Sequence, residues 1–396
     1  MTNSKLLDFV KKYTMIIVLV LVLSLFAILT GGSILLPANV SNIISQNAYV
    51  FILATGMLLC ILTGGNIDLS VGSVVCFVGA VGAKLMVDKG VNMYLAIFIM
   101  LLTGTAIGAF QAFWIAYVRI PPFIVTLAGM LAFRGLSNVV LDGLTVSITG
   151  QVQFVNIFGG GANCYIPDYF HFGAINGFCL VVGIIAAALL VMFQLKSRIS
   201  KKSKNYEVES AVAFWIKTVV IAAVIIAFAF RLAQHKGIPT VLIWVVLVIV
   251  IYGYITSNTT VGRAFYAVGG NEKATKLSGI NTNRVYFLAY TNMGLLSALA
   301  AMVTIARLTS AQPTYGQNYE MDAIGSCFIG GASAYGGIGT VPGVIVGAVL
   351  MGVINLGMSL MGVDANMQKV VKGAVLLAAV IFDVVSKRGG KMIVKN

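Results

Sequence analysis

Charged residues are scarce in this sequence, and acidic ones are scarcest. Only 10% of the 396 residues are charged, with 12 Asp and Glu against 26 Lys and Arg, while 59% are hydrophobic. Soluble domains hold about 25% charged and roughly 45–50% apolar residues. Uncharged runs such as residues 13–67 and 323–363 are longer than a soluble core helix needs. A water-soluble globule is excluded, and the sequence predicts an all-α polytopic membrane protein.

Groups that carry chemistry are also few. The five cysteines are odd in number without CxxC spacing, and the two histidines lie far apart, so no disulfide framework or metal site is expected. The sequence holds no GxxxxGK[ST], HExxH or GxSxG motif. We therefore expect no catalytic residue, metal or cofactor in this chain. In a membrane protein, excess Lys and Arg residues are concentrated in cytoplasmic loops. We therefore attribute the net charge of +14 to membrane orientation and expect no nucleic-acid partner.

Apolar runs and their breaks predict about 12 membrane-spanning helices, the first of them uncleaved. The predicted spans are residues 14–30, 43–63, 71–86, 93–118, 122–142, 177–195, 211–233, 239–257, 285–306, 324–335, 341–361 and 366–385. The span at 324–335 is short and Gly-rich, so it is either a full crossing or a half-helix. Little chain is left for a soluble domain, and residues 1–396 are predicted to form one transmembrane domain.

The distribution of Lys and Arg predicts the orientation in the membrane. Most of them fall on one side if the N-terminus is cytoplasmic, including those of a basic loop at 196–210 and a loop at 260–284. The longest loop on the other side, 143–176, has no Lys or Arg. We therefore predict cytoplasmic N- and C-termini. The 143–176 outer loop is either a docking surface for an extracytoplasmic partner or a solvated connector.

Polar residues within or beside the predicted spans are candidates for a solute pathway. They are Gln46, Asn47, Asn66, Asp68 and Gln111. Asp68 is the only charge between residues 12 and 84 and lies between two apolar runs, where an ionised group must face protein, water or an ion path. It is alternatively the N-cap of a helix that begins near residue 69. The amides suit hydrogen bonds to hydroxyls, but they equally suit contacts between helices.

The 260–284 loop contains the pattern of a short helix. Asn271 can cap it, Glu272 is favourable in its first turn, and Gly279 supplies the stop. Ala274 and Leu277 then form a small apolar face. About two turns of helix are too short to be stable alone, so this helix needs a partner surface or lies on the base of its own protein.

Two Gly-rich segments, Gly64–Gly72 and Gly330–Gly339, echo one another. Each follows an apolar run and precedes a Gly-punctuated span, and both fall on the same side of the predicted topology. Transporters are often built from such repeats. A possible internal repeat is predicted, although a chain with 43 glycines also produces Gly-rich pairs by coincidence.

One stretch resembles a known family. The sequence from Gly262 to Ala274, followed by Leu277 to Ile280, is similar to the cytoplasmic loop of bacterial ATP-binding cassette sugar-importer permeases of the ribose, xylose and galactose type. Two further stretches match that family, Gly64–Ser73 and Gly330–Gly343. The resemblance covers nearly the whole chain through three separated motifs.

This resemblance implies a homodimeric channel in the bacterial inner membrane for a monosaccharide such as xylose or galactose. An extracytoplasmic sugar-binding protein would deliver the sugar, and a separate subunit that binds ATP and Mg²⁺ would drive transport. Gly269 and Gly270 are expected to allow a tight backbone entry, while Ala274 and Leu277 press into a groove on the ATPase. The implied coupling residues are Gly269, Gly270, Asn271, Glu272, Lys273, Ala274, Leu277, Ser278 and Gly279.

The length of the chain departs from the usual ten-span permease. Spans 211–233 and 239–257 follow the basic loop. This extra length resembles that of the longer xylose and multiple-sugar permeases, and it predicts a ten-helix core with an added pair. From the residues alone, an ion-coupled secondary transporter that uses Asp68 is the main alternative. A membrane scaffold would not require the polar residues in the spans.

Overall fold

The computed structural model describes residues 3–160, 164–170, 172–173, 175–206, 208 and 210–393, and most of them are helical. The helices are α1 (Asn3–Leu29), α2 (Pro37–Leu62), α3 (Val71–Val87), α4 (Met93–Ala116), α5 (Pro122–Leu141), α6 (Val152–Phe158), α7 (Gly177–Ser203), α8 (Ala211–Ala233), α9 (Val241–Asn258), α10 (Thr260–Gly270), α11 (Glu272–Leu277), α12 (Thr282–Leu308), α13 (Tyr319–Ile329), α14 (Val341–Leu360) and α15 (Ala365–Ile393). Strands β1 (Val146–Ser147) and β2 (Ser310–Ala311) pair antiparallel. The predicted all-α class is confirmed.

Most predicted spans coincide with a helix. Among the described residues, eight helices are long and apolar enough to cross a membrane, namely α2, α4, α5, α7, α8, α9, α12 and α14. Two shorter apolar stretches, Thr14–Leu29 and Val71–Val87, match the first and third predicted spans. Adding these two and α15 to the eight accounts for eleven of the predicted spans. The chain is a multi-pass membrane protein.

The remaining predicted span is a half-helix with different bounds. α13 has 11 residues, which extend about 16 Å at a rise of 1.5 Å per residue, about half of a bilayer core of roughly 30 Å. The seven residues before it, 312–318, are turns and extended backbone. Gly316 and Asn318 have φ of 73° and 64°, so this turn starts the helix five residues earlier than the predicted 324.

Three predicted loops contain helices. α7 continues to Ser203, so the first half of the 196–210 loop is helical; Lys201 and Lys202 in its last turn favour this extension, because cations stabilise a helix C-terminus. The 260–284 loop contains α10 as well as the expected short helix. The 143–176 outer loop contains β1 and α6, while its residues 161–163, 171 and 174 lie outside the described residues.

Packing divides the chain into two compact units, and the single transmembrane domain stays a prediction. The larger unit comprises Met1–Ile34, Ile43–Cys164 and Val241–Asn396. Within it, α4 and α12 lie very close together, because a Cβ at Gly104 would come 2.6 Å from the Gly294 carbonyl oxygen and one at Gly108 would come 2.6 Å from that of Tyr290. Small residues allow such backbone approach between membrane helices.

The smaller unit comprises Leu35–Asn42 and Tyr165–Thr240, and it contains α7 and α8. These two helices pack along each other, with Gly183 against Ala229. The Thr218 hydroxyl donates a 2.7 Å hydrogen bond from α8 to the Gln194 side chain on α7. α9 instead packs in the larger unit against α10, α6 and α14. The helix pair that packing sets apart is therefore α7 and α8, whereas the sequence analysis paired α8 with α9.

Candidate coupling site

α11 forms where the sequence predicts a short helix, and local interactions explain its ends. The Asn271 side chain accepts a 3.0 Å hydrogen bond from the backbone N–H of Ala274, which is an N-cap contact. Glu272 occupies the first turn. Gly279 ends the helix with φ of 88°, a conformation that costs glycine little. The predicted caps are therefore confirmed, while the coupling role of this segment stays a prediction.

The surface of α11 is almost entirely open. Thr275 is buried and Glu272 half-buried, whereas Leu277 is 89% exposed. The other exposed residues of the predicted coupling set are Gly270, Asn271, Lys273, Ala274, Ser278 and Gly279. The predicted apolar pair, Ala274 and Leu277, thus faces away from its own protein. A leucine this exposed on a two-turn helix lacks packing within its own chain.

An arginine from a distant loop anchors α11. The Arg119 guanidinium donates 2.7 Å to a Glu272 carboxylate oxygen and 3.2 Å to the Thr282 hydroxyl, and it also contacts the Asn283 side chain. The Tyr286 hydroxyl donates to the other Glu272 oxygen at 3.1 Å. Arg119 itself adopts φ of 66° between α4 and α5. The sequence alone gives Arg119 no role, since nothing local connects residue 119 to residue 272.

The electrostatics of Glu272 follow from these contacts. Partial burial raises its pKa, but the hydrogen bond and charge of Arg119, together with the Tyr286 hydroxyl, outweigh burial and bring the pKa below the ordinary value of 4.5. Glu272 therefore stays ionised at neutral pH and holds the first turn of α11 against α12.

The entry to α11 lies against the ends of two other helices. A Cβ at Gly269 would overlap the Leu62 carbonyl at the end of α2 and the Gly337 backbone before α14. The Gly337 N–H also donates to that same Leu62 carbonyl, at 3.1 Å. Gly270, in contrast, has open space where its Cβ would lie. The tight backbone entry expected of both glycines is required only at Gly269.

The three motifs that carried the family resemblance meet at this place. A Cβ at Gly65 would overlap the Ala334 carbonyl, and Gly336 packs on the backbone of Gly64. Gly64, Gly65 and Gly336 all have positive φ, which glycine tolerates. The two Gly-rich segments lie at the same end of the larger unit, as predicted, and their relation as a repeat stays a prediction. We call the cluster formed by Gly64, Gly65, Gly269, Gly336 and Gly337 the glycine base.

Three of the five pathway candidates lie beside the glycine base. The Ser70 backbone N–H donates 2.8 Å to Asp68, and the Ser70 hydroxyl lies 2.6 Å from the same carboxylate oxygen and 3.0 Å from the Gln111 side-chain oxygen. Asp68, Ser70 and Gln111 are buried. Asn66 donates to the Thr63 carbonyl at 3.2 Å within the turn. Asp68 thus orders the entrance of α3, although the residue at the N-cap is Ser70.

The other two candidates lie on α2, away from that network. The Asn47 side chain donates 2.9 Å to the Ile43 carbonyl and accepts 3.2 Å from Asn355 on α14, so it joins two helices. Gln46 is half-buried, and its carbonyl lies 3.5 Å from the Arg307 guanidinium. The structure therefore separates the five candidates, and their role in transport stays a prediction.

The described part of the outer loop exposes aromatic side chains. In the smaller unit, Asp168 accepts hydrogen bonds from the backbone N–H groups of Phe170, Gly177 and Phe178, which tie this segment to the start of α7. Phe170 is exposed, as are Tyr169 and Phe172. Such a surface is compatible with either predicted role, docking or connection.

In the part of the chain that the structure describes, eight membrane-spanning helices with an exposed short helix on a glycine base are typical of the membrane subunit of a transporter. The chain belongs to the family described as the branched-chain amino acid transport system permease component, whose profile matches residues 39–199 and 171–380.

Several sugar-transport permeases are similar to this chain over most of their length. The xylose transport system permease protein XylH of Escherichia coli (strain K12) is 35% identical over 376 residues, covering 95% of this chain and 92% of that protein. The XylH protein of Haemophilus influenzae (strain ATCC 51907 / DSM 11121 / KW20 / Rd) is 34% identical and covers 95% and 96%. The ribose import permease protein RbsC of Escherichia coli (strain K12) is 34% identical and covers 87% and 85%. No solved structure is significantly similar to this chain.

Proposed function

We propose that this chain is the channel subunit of an ATP-driven importer that carries a monosaccharide from an extracytoplasmic binding protein into the cytoplasm by alternating access. The xylose and ribose permeases similar to it over most of their length support this substrate class. Two copies would form the channel in the bacterial inner membrane, with their N- and C-termini in the cytoplasm. ATP and Mg²⁺ would be bound by the separate ATPase subunit.

The exposed face of α11 is the observation that carries the proposal. Leu277, with Ala274 beside it, is presented on a helix whose opposite face is fixed by Thr275, Glu272 and Arg119. An anchored helix with an unpacked apolar face suits a groove on a partner protein, as expected of the ATPase.

Force applied to α11 would pass directly to the channel helices. Its entry residue Gly269 abuts the end of α2 at Leu62 and the start of α14 near Gly337. Closure of two ATPase subunits would move both copies of α11, and the glycine base would transmit that movement to α2, α3 and α14. The channel would then switch between outward- and inward-open states because the ATPase contacts differ in the two states.

Changing Ala274 and Leu277 together to Glu tests this role. Two carboxylates in a closed apolar contact cost roughly 2 kcal/mol or more each, so ATP-driven uptake and co-purification of the ATPase should be lost. The control is Tyr206→Glu, a similarly exposed residue (64%) in the basic loop, which should leave both unchanged.

Uptake is measured in proteoliposomes that contain the permease, ATPase and binding protein. Normal uptake by the double variant would refute docking through α11. Uptake that requires an ion gradient but no ATPase would instead support the secondary transporter.

A further inference from the structure

A group of charged and aromatic residues on α2, α13 and α15 has no part in the coupling site. The Lys372 ammonium on α15 lies 2.9 and 3.1 Å from the two Asp322 carboxylate oxygens on α13. The Tyr49 hydroxyl on α2 donates to the same carboxylate at 2.7 Å. Charged side chains within membrane spans are energetically costly and rare, and they are typically paired with one another or found along substrate pathways.

Neighbouring side chains extend this group to the protein surface. The rings of Tyr49 and Tyr319 stack with centroids 3.6 Å apart and planes 14° apart. The Arg307 guanidinium lies 3.5 Å from the Gln46 carbonyl. Asp322 is 1% exposed, but Gln46, Tyr49, Arg307 and Tyr319 are only half-buried. We call these residues, with Asp322 and Lys372, the tyrosine strip; every member except Asp322 is partly exposed.

The position of the tyrosine strip supports a role in transport. Tyr49 lies at mid-length of α2, and Tyr319 is the first residue of the half-helix α13. The turn before α13 is fixed by Arg134, which donates hydrogen bonds of 2.6 Å to the Tyr315 carbonyl and 3.3 Å to the Pro313 carbonyl. Interrupted helices at the middle of the bilayer form the substrate sites of many transporters.

We propose that the tyrosine strip lines the pathway and contacts the sugar as it crosses, an inference that rests on the proposed function. A sugar ring has an apolar C–H face that packs on an aromatic ring, and hydroxyls that bond to amide, guanidinium and carboxylate groups. The strip offers both. Asp68 and Gln111, which are buried and bonded to Ser70, are not part of the strip, and their own role in transport stays a prediction.

Water access to the strip is tested by cysteine labelling. Ser45 is half-buried beside Gln46 and lines a small cavity with Tyr49, Arg307 and Tyr319. Ser45→Cys should react with a charged, membrane-impermeant methanethiosulfonate at least about tenfold faster than Ala132→Cys, an exposed control position at mid-length of α5. Wild-type background is expected to be low, because the five native cysteines are buried. Equal rates for the two variants would overturn the proposal.

Sugar contact is tested by uptake in the same proteoliposomes. Tyr49→Leu should raise the KM for sugar or lower the rate at least about tenfold, with the ATPase still bound. Tyr49→Phe, which keeps the ring, should transport with altered preference among sugars. The control Tyr254→Leu changes an exposed tyrosine (62%) on α9 and should behave as wild type.

The outcomes separate the two proposals. Absence of ATP-driven uptake by the wild-type protein overturns the proposed function. If the wild type shows ATP-driven uptake and both Tyr49 variants have the same KM, rate and sugar preference as the wild type, only the pathway proposal is overturned. If Tyr49→Leu does not fold, the Tyr49→Phe preference and the labelling rates decide.

Discussion

At the scale of residues, the contact between Arg119 and Glu272 matters more for position than for stability. Both side chains are partly exposed, at 42% and 37%, and such ion pairs contribute only about 0–1 kcal/mol. Their geometry nevertheless fixes α11, because the same guanidinium also reaches Thr282 and Asn283 on α12. Loss of the pair should therefore uncouple transport before it unfolds the protein.

Glu272→Gln gives a pH-dependent test of this contact. A carboxyl whose pKa is lowered in the folded state stabilises the protein above its ordinary pKa of 4.5, and this contribution is lost as the pH falls through the lowered value. At pH 7 the variant should have a slightly lower Tm than the wild type, which corresponds to a loss of less than about 1 kcal/mol in the free energy of unfolding.

Below the lowered pKa the two proteins should converge, because wild-type Glu272 is then protonated. Thermal unfolding in detergent across this pH range measures the difference. Lys273→Met, an exposed neighbour on α11, is the control, and a Tm gap that stays constant with pH would contradict the argument.

At the scale of elements, the seating of α10 and α11 on the glycine base depends on one position. Gly269 has backbone atoms of Leu62 and Gly337 where a Cβ would lie, and backbone cannot move as the end of a flexible side chain can. Gly270, the last residue of α10, has open space instead. These adjacent glycines therefore form a matched pair.

Gly269→Ala should displace α11 and lower the sugar transported per ATP hydrolysed by about tenfold or more, since overpacking a close contact costs about 1–3 kcal/mol. Gly270→Ala should transport as wild type, because alanine is a better helix former than glycine. Uptake and ATP hydrolysis are measured together in proteoliposomes. Equal coupling in the two variants would show that the close approach at Gly269 has no role.

At the scale of the whole molecule, the proposed docking of an ATPase on α11 depends on the orientation of the chain in the membrane. Docking of a cytoplasmic ATPase needs α11 on the cytoplasmic side, and the topology predicted from the sequence also places the loop after α7 and both termini there. The excess of Lys and Arg in these segments agrees with that placement. The turn between α3 and α4 then lies outside.

Alkaline phosphatase fusions test this orientation, because the enzyme is active only outside the cytoplasm. A fusion after Gly90, in the α3–α4 turn, should be active, whereas one after Tyr206, in the loop that follows α7, should be inactive. The reverse pattern would place α11 outside and exclude ATPase docking through it. A fluorescent-protein fusion at each position, which reports the cytoplasmic side, is the matched control.

The sequence by itself determined the membrane class, eleven of the twelve predicted helical segments and the caps of α11, because hydropathy and capping depend on neighbours within one or two turns. Asn271 and Gly279 show this directly. Only the tertiary structure decided which distant groups meet: Arg119 with Glu272, the glycine base, and Tyr49 with Tyr319. The start of α13 was likewise misplaced, since the turn that opens it includes a positive-φ Asn318 and is held by Arg134 from α5. Such contacts arise from packing between helices, and the hydrophobicity of each helix does not specify them.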